Sequence, residues 1–435
     1  MASPFTIPSS PSNRGTFNFE SGEKVPAFLA FALYFCVLGG YFAVRPVRET
    51  IGTVLGRATV ADLYGWTWVF SIGIIPVFGA LCGWLPRRKF LPLIYSLVGL
   101  TLAVCGALFA VKGESHAATG KFFYVMISVV NLFMVSVLWS FLLELFDAGQ
   151  VKRLFGFIAA GGTAGALAGP FVSSLLVSRI GNAGILFLGA GVFFVAVVVQ
   201  RALLAFWNRP AANATAGATG NKYRPIGGNP LAGIWIVVKS PYLIGIAVFV
   251  TLLASVNTFL YFEQLDFVTA AFPNDTRART AFFSRFDTAV QALTIICQIF
   301  VTGKIASRWG MTVLLTFVPV LMIVGLATFA VVHTMTVLVI VFFVRRVGEY
   351  SFVRPGREML FSPLNAETKY KAKNFIDVPV YRGSDYLTGQ VLTAPNWIAP
   401  GILGAIIAAI WAVNGWWLGR KADAAKTEAT LLAQA

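Results

Sequence analysis

The sequence is poor in charge, cysteine and histidine. Only 12% of its 435 residues are Asp, Glu, Lys or Arg, against about 25% in a soluble globular domain. Its four cysteines (Cys36, Cys82, Cys105, Cys297) each lie inside an apolar run, which excludes a disulfide framework and suits packing. His116 and His333 are single and unclustered, so no histidine metal site is expected. Neither G-x-S-x-G nor H-E-x-x-H nor a Walker loop occurs, and Ser, Asp and His gather nowhere. The expectation is a protein that is not an enzyme and needs no cofactor or metal. Acidic residues are scarcest: 18 against 34 Lys and Arg, a formal net charge of +16. The basic excess follows loops between apolar runs rather than a solvated face with stacking aromatics, so a nucleic acid polymer is not an expected partner.

What the chain does hold is apolar bulk: 57% hydrophobic residues, 39 Phe and 11 Trp, with a mean hydropathy of +0.76. A bilayer core about 30 Å thick needs roughly 20 mostly apolar residues per helix. Such runs fall near 27–47, 63–85, 91–111, 122–146, 154–178, 184–206, 242–265, 281–304, 311–332, 335–353, 374–394 and 399–418. The expected fold is an all-α membrane protein of about twelve transmembrane helices. A shorter run at 229–239 suits a surface helix or an extension of the seventh span.

Basic residues recur in every second loop: Arg87-Arg88-Lys89, Lys152-Arg153, Arg209 with Lys222 and Arg224, Lys304 with Arg308, Lys369 with Lys371 and Lys373, and Arg420-Lys421. By the positive-inside rule both termini are cytoplasmic, and the expected location is a bacterial inner membrane. Residues 1–25 read as a loose tail, 26–206 as one six-helix bundle, 207–231 (Gly, Ala, Pro and Asn-rich) as a cytoplasmic linker, 232–419 as a second bundle and 420–435 as a cytoplasmic tail. The loop CGWLPRRKFLP, with Gly83 and Arg88, is echoed by TGKIASRWGMT, with Gly303 and Arg308. Parallel repeats of this kind build the major facilitator transporters, and G-K-I-A-S-R-W-G looks like their inner-loop motif.

Several charges stand where an oily helix should exclude them. YFAVRPVRET at 41–50 and SFVRPGREML at 351–360 share an R-P-x-R-E core at the end of an apolar run. A charge near the bilayer centre costs about 2.5–3.5 kcal/mol on insertion scales, so it rarely faces lipid. Arg45 and Arg48 are near enough to one end of the first helix for snorkelling to be the alternative. Arg345, Arg346, Arg354 and Arg357 on the tenth helix cannot all snorkel, and a water-filled central cavity is expected to receive some of them. Pairing of Arg345 or Arg346 with Glu349 is the local alternative. Pro46 and Pro355 lack an N–H and are expected to free a carbonyl one turn back.

Further polar positions are Asn257, Tyr261, Glu263 and Gln264 on the seventh helix, Arg285, Asp287, Gln291 and Gln298 on the eighth, and Asn131, Trp139 and Glu144 on the fourth. On the eleventh, Asp377, Tyr381 and Asp385 recur every four residues, beside Arg382. That face is expected to pair with the tenth-helix arginines as a gate, with Glu349, Glu358 and Asp287 as further gating or coupling groups. Substrate contact is assigned to Arg45, Arg48, Arg345, Arg346, Arg354, Arg357, Asn257 and Asn131. FGFIAAGGTAGALAG in the fifth helix is a small-residue surface for close helix approach.

RPVRE at 45–49, KRLFGFIAAGG at 152–162, GREMLFSPL at 356–364 and TKYKAKNFID at 368–377 together resemble the nucleotide transporter family, the ATP/ADP translocases of plastids and intracellular bacteria with their bacterial relatives. The resemblance spans most of the chain. It implies a major-facilitator-like fold and exchange of ATP for ADP. The family's two basic residues fall on Arg48 and Arg357, each arginine in place of lysine. Its two acids fall near Ile127 and Asn257, where no acid stands. The function expected is alternating-access transport of an anionic, phosphate-bearing solute by a monomer. An ion-coupled carrier for another solute is the alternative.

Overall fold

The computed structural model describes residues 19, 22–84, 87–207, 232–308, 310–362, 364–394 and 400–434. The proposed linker and most of the first tail lie outside them, as do the side chains of Gly83 and Arg308 in the echoed loops.

Helices account for nearly every described residue. In chain order they are α1 (Lys24–Leu55), α2 (Arg57–Trp84), α3 (Arg87–Lys112), α4 (Ala117–Leu145), α5 (Ala148–Phe206), α6 (Ala232–Lys239), α7 (Pro241–Ala271), α8 (Thr276–Cys297), α9 (Gly303–Arg308), α10 (Gly310–Val331), α11 (Met335–Gly348), α12 (Arg354–Leu360), α13 (Ala366–Phe375), α14 (Tyr381–Thr393) and α15 (Pro400–Gln434). Among the described residues, nine segments are long and apolar enough to cross a membrane. One of them, α5, makes two legs, because Gly181 breaks it at φ 68° where a side chain is rarely tolerated. The break falls between the fifth and sixth expected spans. Two further crossings are composite and less apolar: α11 with α12, and α14 with the segment before it. Among the described residues twelve spans result, in two six-helix bundles.

Three π-helical segments interrupt the second half, at Gln298–Thr302, Glu349–Val353 and Ile376–Val380. Such bulges frequently mark functional positions. The middle one precedes Pro355, and the expected consequence is visible. The carbonyl of Ser351, four residues back, accepts from Thr302 Oγ1 at 2.9 Å, and that of Tyr350 from Gln298 Nε2 at 3.1 Å. In α1 the Ala43 carbonyl, three residues before Pro46, accepts from Ser173 Oγ at 2.8 Å.

Two apolar cores follow the two halves. The buried residues of one run from Ala27 to Leu203, with Ala281 of the second half packed against them. The other runs from Val237 to Leu418 and recruits Val60, Ala61, Leu63 and Tyr124 from the first half. The small-residue stripe of α5 lies directly on α1. A Cβ on Gly161, Gly165 or Gly169 would stand 2.4, 2.3 or 2.4 Å from the carbonyl oxygens of Phe31, Phe35 and Gly39, so the two backbones touch. Trp139 packs against Tyr34 and Phe155. The short α6 is separate from α7, ended by the Ser240 cap, and Gly233 seats it on α13.

The halves are tied at the end carrying the α1–α2 and α7–α8 turns. Thr50 and Thr280 share a 2.6 Å hydroxyl contact, and Arg279 donates to Thr53 at 2.9 Å. Tyr124 and Tyr261 meet at 3.0 Å. Arg57 on α2 reaches Asp266 at 2.8 Å and Glu263 at 3.3 Å, and Glu263 also faces His333 at 3.3 Å. Nearer mid-depth, Trp68 Nε1 donates to the Pro379 carbonyl at 2.9 Å.

Candidate functional site

Below this tied end, α1, α8 and α11–α12 bring both R-P-x-R-E copies into one charged cluster. Each arginine reaches it because a helix turn aims its side chain inward at a residue that the apolar lipid face cannot accept. Arg45 lies 3.5 Å from Glu49 one turn on and 3.8 Å from Asp287 of α8. Arg48 donates to both oxygens of Glu49 at 2.9 and 3.1 Å and to Ser128 Oγ at 3.0 Å, with its guanidinium 4.9 Å from the Tyr124 ring centre. Arg346 bonds directly to Asp287 and packs on Phe286. Arg345 donates to Asn257 at 2.6 Å and pairs with Glu349 at 3.0 Å. Arg354 faces the other Glu349 oxygen at 3.8 Å and lies over Tyr350, and Arg357 pairs with Asp377 at 3.3 Å.

Six guanidinium groups therefore face four carboxylates (Glu49, Asp287, Glu349 and Asp377), a formal surplus of two positive charges. Donors are in excess too: Arg48 Nε, Arg345 Nε, Arg346 Nη2 and Arg357 Nε have no protein acceptor among the described residues. The cations differ in access. Arg345 and Arg346 are 1% and 7% exposed and each paired with a carboxylate, which makes them framework in this conformation. Arg354 is 56% exposed, with Arg45 at 18% and Arg48 at 14%. Arg45 and Arg48, for which snorkelling was the alternative, thus turn inward to carboxylates, and the alternative local pairing on the tenth helix forms for Arg345 with Glu349 but not for Arg346.

The eleventh-helix face divides by level. Asp377 meets Arg357 as expected, but Asp385, about 12 Å further along the helix axis, accepts from Thr258 at 2.9 Å and pairs with Arg382 at 3.4 Å instead of a tenth-helix arginine. Arg382 also donates to the Ser128 carbonyl at 3.4 Å, so Ser128 of α4 joins both halves through Arg48 and Arg382. Tyr381 lies half-buried beneath the Arg382 guanidinium. Glu358 pairs with Lys373 at 2.5 Å rather than with one of the cluster's arginines. Asn131 is half-buried one turn beyond Ser128, and no hydrogen bond joins it to the cluster among the described residues. Sequence reasoning did not nominate Glu49 as a site residue, although it stands inside the repeated motif. It also did not nominate Ser128, Tyr124, Thr258 or Tyr350, which carry no local signal.

Two bundles of six spans, closed over a charged cluster at one end, define a membrane carrier rather than an enzyme or a pore. Residues 28–357 match the Major Facilitator Superfamily, and the chain belongs to that family. Solved structures share its fold. The nucleoside transporter NupG superposes with a TM-score of 0.64 at 14% identity, covering 92% of this chain and 98% of that one. A bacterial homologue of the iron transporter ferroportin, in an inward-facing state, gives 0.64 at 12% identity over 92% and 100%. A bacterial homolog of the human lysosomal transporter Spinster, inward-facing and unoccupied, gives 0.58 at 12% identity over 93% and 94%. No curated protein matches the chain.

Proposed function

We propose that the protein carries a phosphate-bearing organic anion by alternating access, with nucleotide exchange of the ATP/ADP kind as the leading candidate. The observation that carries this reading is the surplus of two positive charges between the halves. A phosphate group brings about −1.5 to −2 charge and several acceptor oxygens, which is what this donor-rich cluster lacks. Arg354, Arg45 and Arg48 are the open contacts. Arg345, Arg346 and Asn257 hold them in place, and Asp287, Glu349 and Asp377 are the counter-charges a solute displaces. The resemblance of RPVRE and GREML to nucleotide transporters supports the same role for Arg48 and Arg357. With a cytoplasmic N-terminus, the tied end faces outward and this conformation opens inward. Exchange follows from the same arithmetic, because an empty carrier must move an unneutralised charge through a low-dielectric passage.

The test is a thermal-shift screen of nucleotides, sugar phosphates and carboxylates on the purified protein, repeated on Arg48→Ala and Arg357→Ala, then labelled ATP uptake into proteoliposomes with and without internal ADP. Stabilisation by phosphorylated solutes, lost in both variants, with uptake dependent on internal ADP, is the expected result. Absence of any response to phosphorylated solutes would sink the reading. The ion-coupled alternative is favoured by one observation, the buried Asp385 held by Thr258 and Arg382. Collapse of uptake by a protonophore, with no dependence on internal solute, is the outcome that selects it.

A further inference from the structure

On the outer flank of the molecule, α5, α8 and α11 enclose a groove of about 650 Å³ that the charged cluster does not use. Its apolar wall is Phe282, Phe286, Val339 and Phe343, with Phe272 at the mouth. Two arginines line it, Arg277 and Arg285, both exposed. Arg285 is anomalous. It lies nine residues, about 13 Å, into α8, inside a segment apolar enough to cross a membrane. It stands two residues before Asp287, about 200° round the helix, so it turns away from the central cluster. Among the described residues no carboxylate pairs with it. Arg277 reaches only the Ser178 carbonyl, at 3.5 Å. The one acid in the lining, Asp275, is committed to capping α8 through the Ala278 N–H at 2.9 Å.

We propose that this groove binds one anionic phospholipid of the leaflet at the tied end, its phosphodiester held between Arg277 and Arg285 and an acyl chain lying along Phe282, Phe286, Val339 and Phe343. Three observations select that occupant. A guanidinium exposed at lipid depth needs an anion, and only a lipid delivers one there without leaving the bilayer. Side chains on a helix tilt toward its N-terminus, so Arg285 reaches back toward Arg277 and the headgroup level rather than toward the bilayer centre. The two arginines exceed the single, already committed carboxylate, which favours a lipid with net negative charge over a zwitterion. The site also touches the transport machinery. Phe286 is the groove's inner wall on one side and supports the Arg346 guanidinium at 5.4 Å on the other, and Arg277 contacts α5 beside the Gly181 break. A bound lipid thus bridges α5 of one half and α8 of the other at the end where they are tied.

The experiment compares purified full-length protein in detergent with added phosphatidylglycerol, phosphatidylcholine or inorganic phosphate, reading melting by intrinsic tryptophan fluorescence and retained lipid by native mass spectrometry. Phosphatidylglycerol should raise the melting temperature and remain bound at one copy, with neither phosphatidylcholine nor phosphate doing so. In Arg277→Gln/Arg285→Gln the affinity should fall by about thirty-fold, the loss expected of two basic contacts at an anionic surface. The Arg277→Lys/Arg285→Lys pair should keep most of it, and Lys89→Gln, exposed on α3, should change nothing. Should the double glutamine variant not fold, a photoreactive acyl phosphatidylglycerol on the parent chain decides the matter, by labelling peptides that contain Phe282–Phe286 and Val339–Phe343. Equal effects of phosphatidylcholine, reproduction by phosphate alone, unchanged affinity in the glutamine pair or labelling confined to other helices would each overturn the assignment.

Discussion

Asp287 is the carboxylate whose loss is most telling, because among the four carboxylates of the cluster it alone pairs with arginines of both halves. It is 4% exposed and lies between Arg346, which is itself buried, and Arg45 of α1. Asp287→Asn keeps the shape and removes the charge, leaving a buried guanidinium uncompensated. Removing one partner of a buried pair costs about 3–5 kcal/mol, and the partial exposure of Arg45 places the expected loss near the lower bound, about 3 kcal/mol. The purified variant should therefore melt several degrees below the parent when followed by tryptophan fluorescence. The compensating change is Arg346→Met, which deletes the orphaned cation and fills its place beside Phe286 and Phe342 with a flexible apolar chain. The double variant Asp287→Asn/Arg346→Met should recover about 0.5–3 kcal/mol relative to the sum of the singles, the range measured for contacting residues. The same Asp287→Asn variant should bind phosphorylated solutes more tightly, since the cluster's surplus rises by one charge. A parent-like melting curve for Asp287→Asn, or strictly additive losses in the double, would refute the claim that this pair is buried and coupled.

The tied end can be locked. Thr50→Cys/Thr280→Cys places two sulfurs where hydroxyls already stand 2.6 Å apart, so oxidation should stop transport in proteoliposomes and reductant should restore it; uninterrupted transport after oxidation would mean that the Thr50–Thr280 contact persists through the cycle. Arg354→Gln removes the most exposed cation of the cluster, and should weaken anion binding about tenfold while leaving the melting temperature within about a degree, the pattern of a solvent-facing charge. On α5, Gly165→Val should abolish folded protein because its Cβ meets the Phe35 carbonyl at 2.3 Å, whereas Gly156→Ala, with open space around it, should gain up to about 1 kcal/mol. Expression and melting of the two glycine variants check this contrast.

Much of this was legible before any coordinates. Apolar run length marks most of the spans, and the basic loops set an expectation for their order across the membrane. The arginines stood out because a span that carries four guanidinium groups has no lipid-facing solution. The rest was hidden for physical reasons. Nothing local distinguishes Asp287, which meets Arg45 and Arg346, from Arg285 two residues earlier, which points into a flank groove; only packing decides which face of α8 is central. Ser128 and Tyr124 look like ordinary fourth-helix residues until α1 and α14 bring Arg48 and Arg382 to them. The spacing of Asp377, Tyr381 and Asp385 showed a shared side of the helix but not depth, so Asp385 was expected against the tenth helix and instead answers Thr258 and Arg382.

On the proposed reading, binding and gating share one turn of α1. Arg45, Arg48 and Glu49 face the cluster, while Thr50 and Thr53, the next residues along, hold α8 through Thr280 and Arg279. Helix α8 is thus fastened to α1 at two levels, by hydroxyl contacts at the tied end and by Asp287 with Arg45 below. The lower contact, at 3.8 Å, is a loose ion pair. An anion that engages Arg45 competes with Asp287 and releases that lower fastening, while leaving Asp287 its stronger partner Arg346. Opening of the tied end then breaks the Thr50–Thr280 contact, the Arg279–Thr53 hydrogen bond and the Arg57 pairs with Asp266 and Glu263, but no longer the Arg45–Asp287 pair. Without the anion the same opening must also separate Arg45 from Asp287 with nothing to replace it. Occupancy and opening are thereby linked through one helix turn. The linkage makes a sharp demand: Arg45→Ala should raise leak opening in the absence of solute, read as less complete oxidative cross-linking of Thr50→Cys/Thr280→Cys than in the Arg45 background. Equal cross-linking in both would show that the lower fastening plays no part in closure.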